Sequence, residues 1–247
     1  MGTIITVTSG KGGTGKTSTT AAIASILAVL GHKTLCLDVD VGLRNLDIIL
    51  GLADSAVMDF SDVTSGRVSL AEAVCPHPEI ERLFLLSAPV YSSAEDIAEE
   101  DMLKLFDEIR ENFDYCLVDS PAGVGPGFRL ASRGADRAIV VSGTAPTSLR
   151  DAQRVNIELV RLGVKQTNLI VNRVRPRVLR RTRSTIDDAI DESGLRLLGL
   201  VPEDDAVLLS GELEVPLILR SNGSAARAFL NIAKRITGES VKLMKLR

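Results

Sequence analysis

Eight consecutive residues, Gly10-Lys11-Gly12-Gly13-Thr14-Gly15-Lys16-Thr17, carry the spacing of a loop that wraps a phosphate group. Glycine has no Cβ, so this stretch can curl until successive backbone N–H groups point inward at one set of oxygens. The loop follows an apolar run, Ile4 to Val7, and leads into a helical stretch through Ala21 to Leu30. Strand, glycine loop and helix is the setting this chemistry needs, because the helix start adds unpaired N–H donors and the positive end of a dipole. Lys16 is expected to reach the β- and γ-phosphates and the Thr17 hydroxyl to ligate Mg²⁺, with Ser18 beside it among the binding residues. Lys11 is a second lysine, set directly after the first glycine. With Lys16 serving the phosphates of its own subunit, Lys11 can point outward, toward a nucleotide held by a facing subunit.

Two apolar runs end in acids. Leu37-Asp38-Val39-Asp40 places two carboxyls two residues apart, on one side if the strand continues. Val118-Asp119-Ser120-Pro121-Ala122-Gly123 ends another run in an acid and then enters a glycine loop. Such acids are costly to bury unless a cation compensates them, and Mg²⁺ beside a triphosphate is such a cation. Asp38, Asp40 and Asp119 therefore join Thr17 as candidate metal-site residues. Farther along, Val171-Asn172-Arg173 and Val201-Pro202-Glu203-Asp204 close two later runs. Asn172 offers paired donor and acceptor groups that suit an adenine edge. The guanine-reading pattern Asn-Lys-x-Asp is absent, which favours ATP over GTP.

These residues need strands and helices to hold them, and the pattern supplies both. Strands are expected at Ile4–Val7, Thr34–Leu37, Leu83–Leu86, Tyr115–Val118, Ala138–Val141, Asn168–Val171 and Leu197–Val201. Helices are expected at Lys16–Leu30, Glu99–Asn112, Thr147–Leu162, Ser184–Glu192 and Ser224–Ile236, with Ser184 and Asp187 as a variant capping box. Strands apolar on both faces belong in a mainly parallel sheet covered by helices on each side. The expected fold is α/β, an open doubly wound sheet of the P-loop NTPase kind, whose ligands bind at the carboxyl ends of the strands.

A chain of 247 residues with 45% hydrophobic content can bury one sizeable core. A single domain over residues 1–238 and a short tail at 239–247 are expected. A net charge of −3 does not point to nucleic acid. Cys36, Cys75 and Cys116 have no CxxC spacing, and His32 and His77 read as ordinary loop residues. No signal peptide and no apolar run of about 18 residues is visible, so a cytoplasmic protein with at most peripheral membrane contact is expected.

Taken together, these motifs resemble the deviant Walker A (ParA/MinD) P-loop ATPases, a family that includes cell-division and chromosome-partitioning ATPases and the nitrogenase iron protein. The resemblance implies a weak, dimer- and partner-stimulated ATPase that uses ATP and Mg²⁺. It implies that Lys11 acts in trans across an ATP-bound homodimer and that Asp40 orients the attacking water. It further implies that Asp119 holds the Mg²⁺ shell as the Walker B acid and that the Gly123 N–H senses the γ-phosphate. Asn172, Arg173, Pro202, Glu203 and Asp204 would border the base. Asp40-Val41-Gly42-Leu43-Arg44-Asn45-Leu46-Asp47, Val57-Met58-Asp59-Phe60, Ser148-Leu149-Arg150-Asp151 and Gly199–Asp204 are similar to the branch of that family that positions bacterial division sites. That branch implies a division inhibitor and MinE- or MinJ-type regulators as partners, and a membrane surface as partner where a C-terminal anchor is present. The ending Glu239–Arg247 scatters its apolar residues around a helical wheel, so it is expected to be a tail and not an anchor. Arg173, Arg175, Arg177, Arg180, Arg181 and Arg183 read as a solvated loop leading into a helix, with DNA or anionic lipid as the less favoured partner. The other readings are a DNA-partitioning ATPase and a flagellar-placement relative.

Overall fold

The structure is a computed structural model that describes residues 1–244. Lys245, Leu246 and Arg247, the end of the expected tail, lie outside the described residues.

Strand β1 (Thr3–Thr8) leads through the glycine loop into α1 (Lys16–Val29), and β2 (Thr34–Asp38) follows. Three short helices, α2 (Leu46–Ile49), α3 (Phe60–Thr64) and α4 (Leu70–Ala73), precede the two-residue β3 (Cys75–Pro76) and β4 (Leu83–Leu86). Next come α5 (Glu99–Asn112), β5 (Tyr115–Asp119), α6 (Pro126–Ser132), β6 (Arg137–Ser142), α7 (Pro146–Arg161) and β7 (Gln166–Val174). Helices α8 (Pro176–Thr182) and α9 (Ile186–Ser193) lead to β8 (Arg196–Pro202), and α10 (Asp205–Glu212), α11 (Leu217–Arg220) and α12 (Ser224–Ile236) follow.

The eight strands form one sheet in the order β3-β4-β2-β5-β1-β6-β7-β8. Every described pairing is parallel except that of β3 with β4. Strand order turns around at β1, which lies between β5 and β6, so the loops leaving β1 and its neighbours open together at the carboxyl edge. Register sets Asp38 opposite Asp119, and Asp119 opposite Val7 just before the glycine loop. The alternation of the strands therefore brings three distant segments to one place.

Helices cover both faces. Helix α1 is apolar nearly all round because it lies between the sheet and α12, where Ala225, Ala228, Phe229 and Ile232 fill the contact. On the opposite face, α5 buries Met102, Leu105, Phe106 and Ile109, and α7 buries Leu149, Ala152, Val155 and Leu159. Both sets follow the spacing of one helical face. Cys36 and Cys116 are fully buried thiols, each pushed up in pKa by burial. Among the described residues no helix is long and apolar enough to cross a membrane.

The structure revises several local expectations. The capping box of α9 is Thr185 with Asp188, not Ser184 with Asp187: Thr185 Oγ1 accepts from Asp188 N at 3.1 Å and Asp188 Oδ2 from Thr185 N at 2.6 Å. Ser184 belongs to the preceding helix exit, its N–H donating to Leu179 O at 3.2 Å. The arginine run is not a loop throughout, since α8 forms within it, started by Pro176 at the first helical position. His77 is buried, with Nδ1 accepting from the Glu79 and Ile80 N–H groups at 3.1 Å each. The described part of the tail is held to the body: Arg235 donates to the carbonyls of Leu198, Val241 and Lys242, and Met244 packs on the core.

Replacing a cap hydroxyl costs about 1 kcal/mol. Thr185→Ala is therefore expected to lower unfolding free energy by about that amount in urea titration, whereas Ser184→Ala leaves the midpoint nearly unchanged. Equal losses from both would contradict the assigned cap.

Candidate active site

The glycine loop runs from the end of β1 into α1. Gly15 stands at the N-cap with φ 92°, a conformation a side chain disfavours, and a Cβ there would fall 2.4 Å from Asn172 Nδ2. At Gly10 a Cβ would meet Asp151 Cβ at 2.4 Å, so α7 closes against the loop. No side chain caps α1 and its first turn holds no acid, so the N–H groups of that turn face the loop interior unneutralised. Asn172 braces the loop by donating from Nδ2 to Thr14 O at 2.8 Å, so that Oδ1 is the half of the amide not used in this brace.

The two lysines differ. Lys16 is 9% exposed, and its charge opposes the rise in pKa of both Asp40 and Asp119. Lys11 is exposed at the mouth, where Nζ donates to Thr147 Oγ1 of α7 at 3.3 Å.

Asp38 and Asp119 are each 1% exposed and face each other across β2 and β5. Burial first, and then the Asp38 charge, push Asp119 up to about 7, against hydrogen bonds from Thr17 and Thr20 and the charge of Lys16. Burial likewise raises Asp38 to about 6, against hydrogen bonds from the Asp40 and Leu46 N–H groups. Asp40 is half-buried and raised by burial. Thr20, which the sequence reading missed, lies with Oγ1 3.2 Å from Asp119 Oδ1 and 3.0 Å from Lys16 O. Its signal was spacing: it stands one helical turn beyond Lys16 on the same face.

These are hard oxygen donors. Mg²⁺ takes one or two carboxylates together with phosphate oxygens and keeps its waters, so a hydroxyl and a carboxylate at strand and helix ends are donors of the kind it accepts. Gly123, after β5, donates its N–H to Ser9 O at 2.9 Å, tying this loop to the glycine loop.

Beside the loop lies a cavity of about 300 Å³ lined by Gly15, Ser18, Asn172, Arg173, Pro202 and Glu203, among others. Arg173 is exposed with φ 52°, a strained left-handed conformation at the end of β7. Glu203 is engaged by both arms of the Arg175 guanidinium. Asp204 also lines the cavity, but its oxygens are taken up in capping: they accept from Ala206 N at 3.0 Å, Ser224 Oγ at 2.8 Å and Ala225 N at 3.1 Å. Asp204 thus joins the starts of α10 and α12 and supports the cavity from behind.

Residues 5–217 match the family described as "CobQ/CobB/MinD/ParA nucleotide binding domain". The chain is 38% identical over 246 residues to the septum site-determining protein MinD of Thermotoga maritima, covering 98% of this chain and 91% of that one. Its backbone superposes on MinD in the MinC:MinD cell division protein complex of Aquifex aeolicus with a TM-score of 0.91, at 37% identity and 98% coverage of both chains. It superposes on MinD complexed with Mg-ADP from Pyrococcus horikoshii with a TM-score of 0.85, at 27% identity and 96% coverage of each.

The folded pKa values of Asp38 and Asp119 lie above the ordinary 3.8. Their contribution to stability is therefore full below that value and is lost as pH rises through about 6 to 7. Nucleotide-free protein is expected to lose a few kcal/mol of unfolding free energy as pH rises from about 4 to 8, and Asp119→Asn to flatten that decline. Parallel denaturation profiles for the two proteins would count against the buried acid pair.

Proposed function

The chain belongs to the CobQ/CobB/MinD/ParA nucleotide-binding family and is a MinD-type ATPase that places the cell-division site, and we propose that it does so by pairing with a second copy around ATP. Nucleotide and Mg²⁺ binding follow from the family and from the Mg-ADP complex of a relative. ATP is the proposed substrate.

In this reading the α1 N–H groups and Lys16 hold the phosphates, while Thr17 and Asp119 hold Mg²⁺, Asp119 through water. When bound, Mg²⁺ neutralises charge on the phosphate oxygens. Asp40 orients the water in line with the γ-phosphoryl group. Asn172 Oδ1, Arg173, Pro202 and Glu203 border the adenine. Lys11 of the facing copy completes the positive surround, a contribution of roughly 10³–10⁵ in rate by analogy with arginine fingers. An isologous pair makes the exchange reciprocal.

The division of labour between the lysines supports this reading most directly. Lys16 lies within reach of the acids of its own chain, whereas Lys11 is exposed at the mouth of the loop and its Nζ donates to Thr147 Oγ1 of α7. ATP can favour the pair only through contacts its third phosphate makes in that state.

A division inhibitor is the partner indicated by the MinC:MinD complex of the relative. MinE- or MinJ-type regulators are proposed to act on the paired form. Any membrane contact is proposed to be peripheral.

Lys11→Ala is expected to retain ATP affinity within about threefold and lose at least roughly a hundredfold in turnover. Phosphate release, together with size-exclusion chromatography in ADP and in ATP, reads both quantities. Undiminished turnover would overturn the trans role. Asp40→Ala is expected to accumulate an ATP-bound pair, with turnover down by about a hundredfold or more. Rapid turnover in that variant would remove Asp40 from the water's vicinity.

A further inference from the structure

The carboxylate of Asp38 is used in a way that its place beside Asp119 does not announce. Its Oδ1 accepts from the Asp40 N–H at 2.9 Å. Its Oδ2 accepts from the Asn45 N–H at 3.3 Å and the Leu46 N–H at 3.2 Å. One buried side chain at the end of β2 thus gathers three amides from both ends of the segment that carries Asp40. Asn45, at the N-cap of α2, makes no side-chain cap of its own, so Asp38 does the capping from seven residues away.

Other contacts close the same segment. Val39 N donates to Asp119 O at 2.9 Å, and Gly42 N to Pro89 O at 3.1 Å. Leu43 N and Arg44 N donate to Asp40 O at 3.1 and 3.4 Å. Arg44, at φ 37°, reaches Asp47 Oδ2 and Ala56 O at 2.8 and 2.9 Å and fixes the far side. Within this frame the Asp38 carboxylate gathers amides from both ends of the turn, the Asp47 carboxylate meets the Arg44 guanidinium, and the remaining acceptors named are main-chain carbonyls. Hydrogen bonds to an ionised carboxylate are roughly twice as strong as those between neutral groups.

We propose that Asp38 is a positioning residue: it holds the main chain of Asp40 at a fixed place above the glycine loop and leaves cation binding to Thr17 and Asp119. The inference rests on the reading of Asp40 as the group that orients the attacking water. In-line attack is sensitive to displacements of about 1 Å, so a loosened segment slows the chemical step more than it weakens nucleotide binding.

The test compares wild type, Asp38→Asn and Asp38→Ala by three measurements. The first is Mg²⁺ titration of fluorescent-ATP binding, the second is steady-state turnover, and the third is amide hydrogen exchange at residues 40, 45 and 46 in the nucleotide-free protein. Expected are a Mg²⁺ half-saturation and KM within about threefold of wild type, kcat lower by about tenfold or more, and exchange at the three amides faster by about tenfold or more. Asparagine keeps the volume and one acceptor, so its exchange and kcat should fall between those of wild type and alanine. It carries the test if the alanine variant does not fold. A rise of about tenfold or more in the Mg²⁺ requirement with unchanged exchange would make Asp38 a metal ligand and overturn the proposal. Unchanged exchange with unchanged kcat would overturn it as well. Asp40→Ala, run in parallel, separates the two readings. Accelerated exchange in the Asp38 variants, with wild-type turnover in Asp40→Ala, would sink the role of Asp40 while leaving the loop-holding role standing.

Discussion

At the carboxyl ends of β2 and β5, parallel register forces two carboxyl groups to lie side by side inside the protein, with Lys16 close by. Neither can reach bulk water, and each makes the other harder to ionise. The surroundings answer the two charges differently. Backbone amides of the following segment meet Asp38, and the hydroxyls of Thr17 and Thr20 meet Asp119. Part of the demand remains, and a divalent cation beside phosphate is of the right charge and hardness to satisfy it. The glycine loop, the α1 start and the Asp40 segment are all arranged around this one unfavourable pairing, which a helix or a loop alone could not create.

The sheet was largely legible because its strands are covered on both sides and read as uninterrupted apolar runs. All seven expected strands are present, most of them one or two residues longer than the apolar run itself and one, Gln166–Val174, five residues longer. Polar strand ends such as Gln166 and Arg196 continue the ladder without continuing the pattern. The two-residue β3 was missed, since a single Cys-Pro pair has no period and proline is confined to an edge. Helices α6 and α8 were missed for a different reason. Each is seven residues long, too short to display a face, and each begins at a proline that reads as a loop signal until its place in the first turn is known.

The site divided in the same way. Residues whose role depends on spacing within one segment, from Gly10 to Ser18, stood out in the sequence. Several contacts that depend on a partner across the fold did not. Thr147 and Asp151 approach the glycine loop from α7, and Thr20 approaches Asp119 from α1. Asp204, which the resemblance puts beside the base, lines the cavity, and its oxygens also accept from the starts of two helices. Only coordinates distinguish a carboxylate that meets a ligand from one that meets an amide.

The amide of Gly123 already has an acceptor in the carbonyl of Ser9. Any detection of a third phosphate by that amide must therefore be an exchange and not an addition. A phosphoryl oxygen carries charge and accepts about twice as strongly as a neutral carbonyl, whereas a diphosphate puts nothing there to compete. Counting phosphates then reduces to a contest between two oxygens for one proton donor. Because Ser9 borders the cradle itself, the same hydrogen bond also fastens the strand-end loop to it.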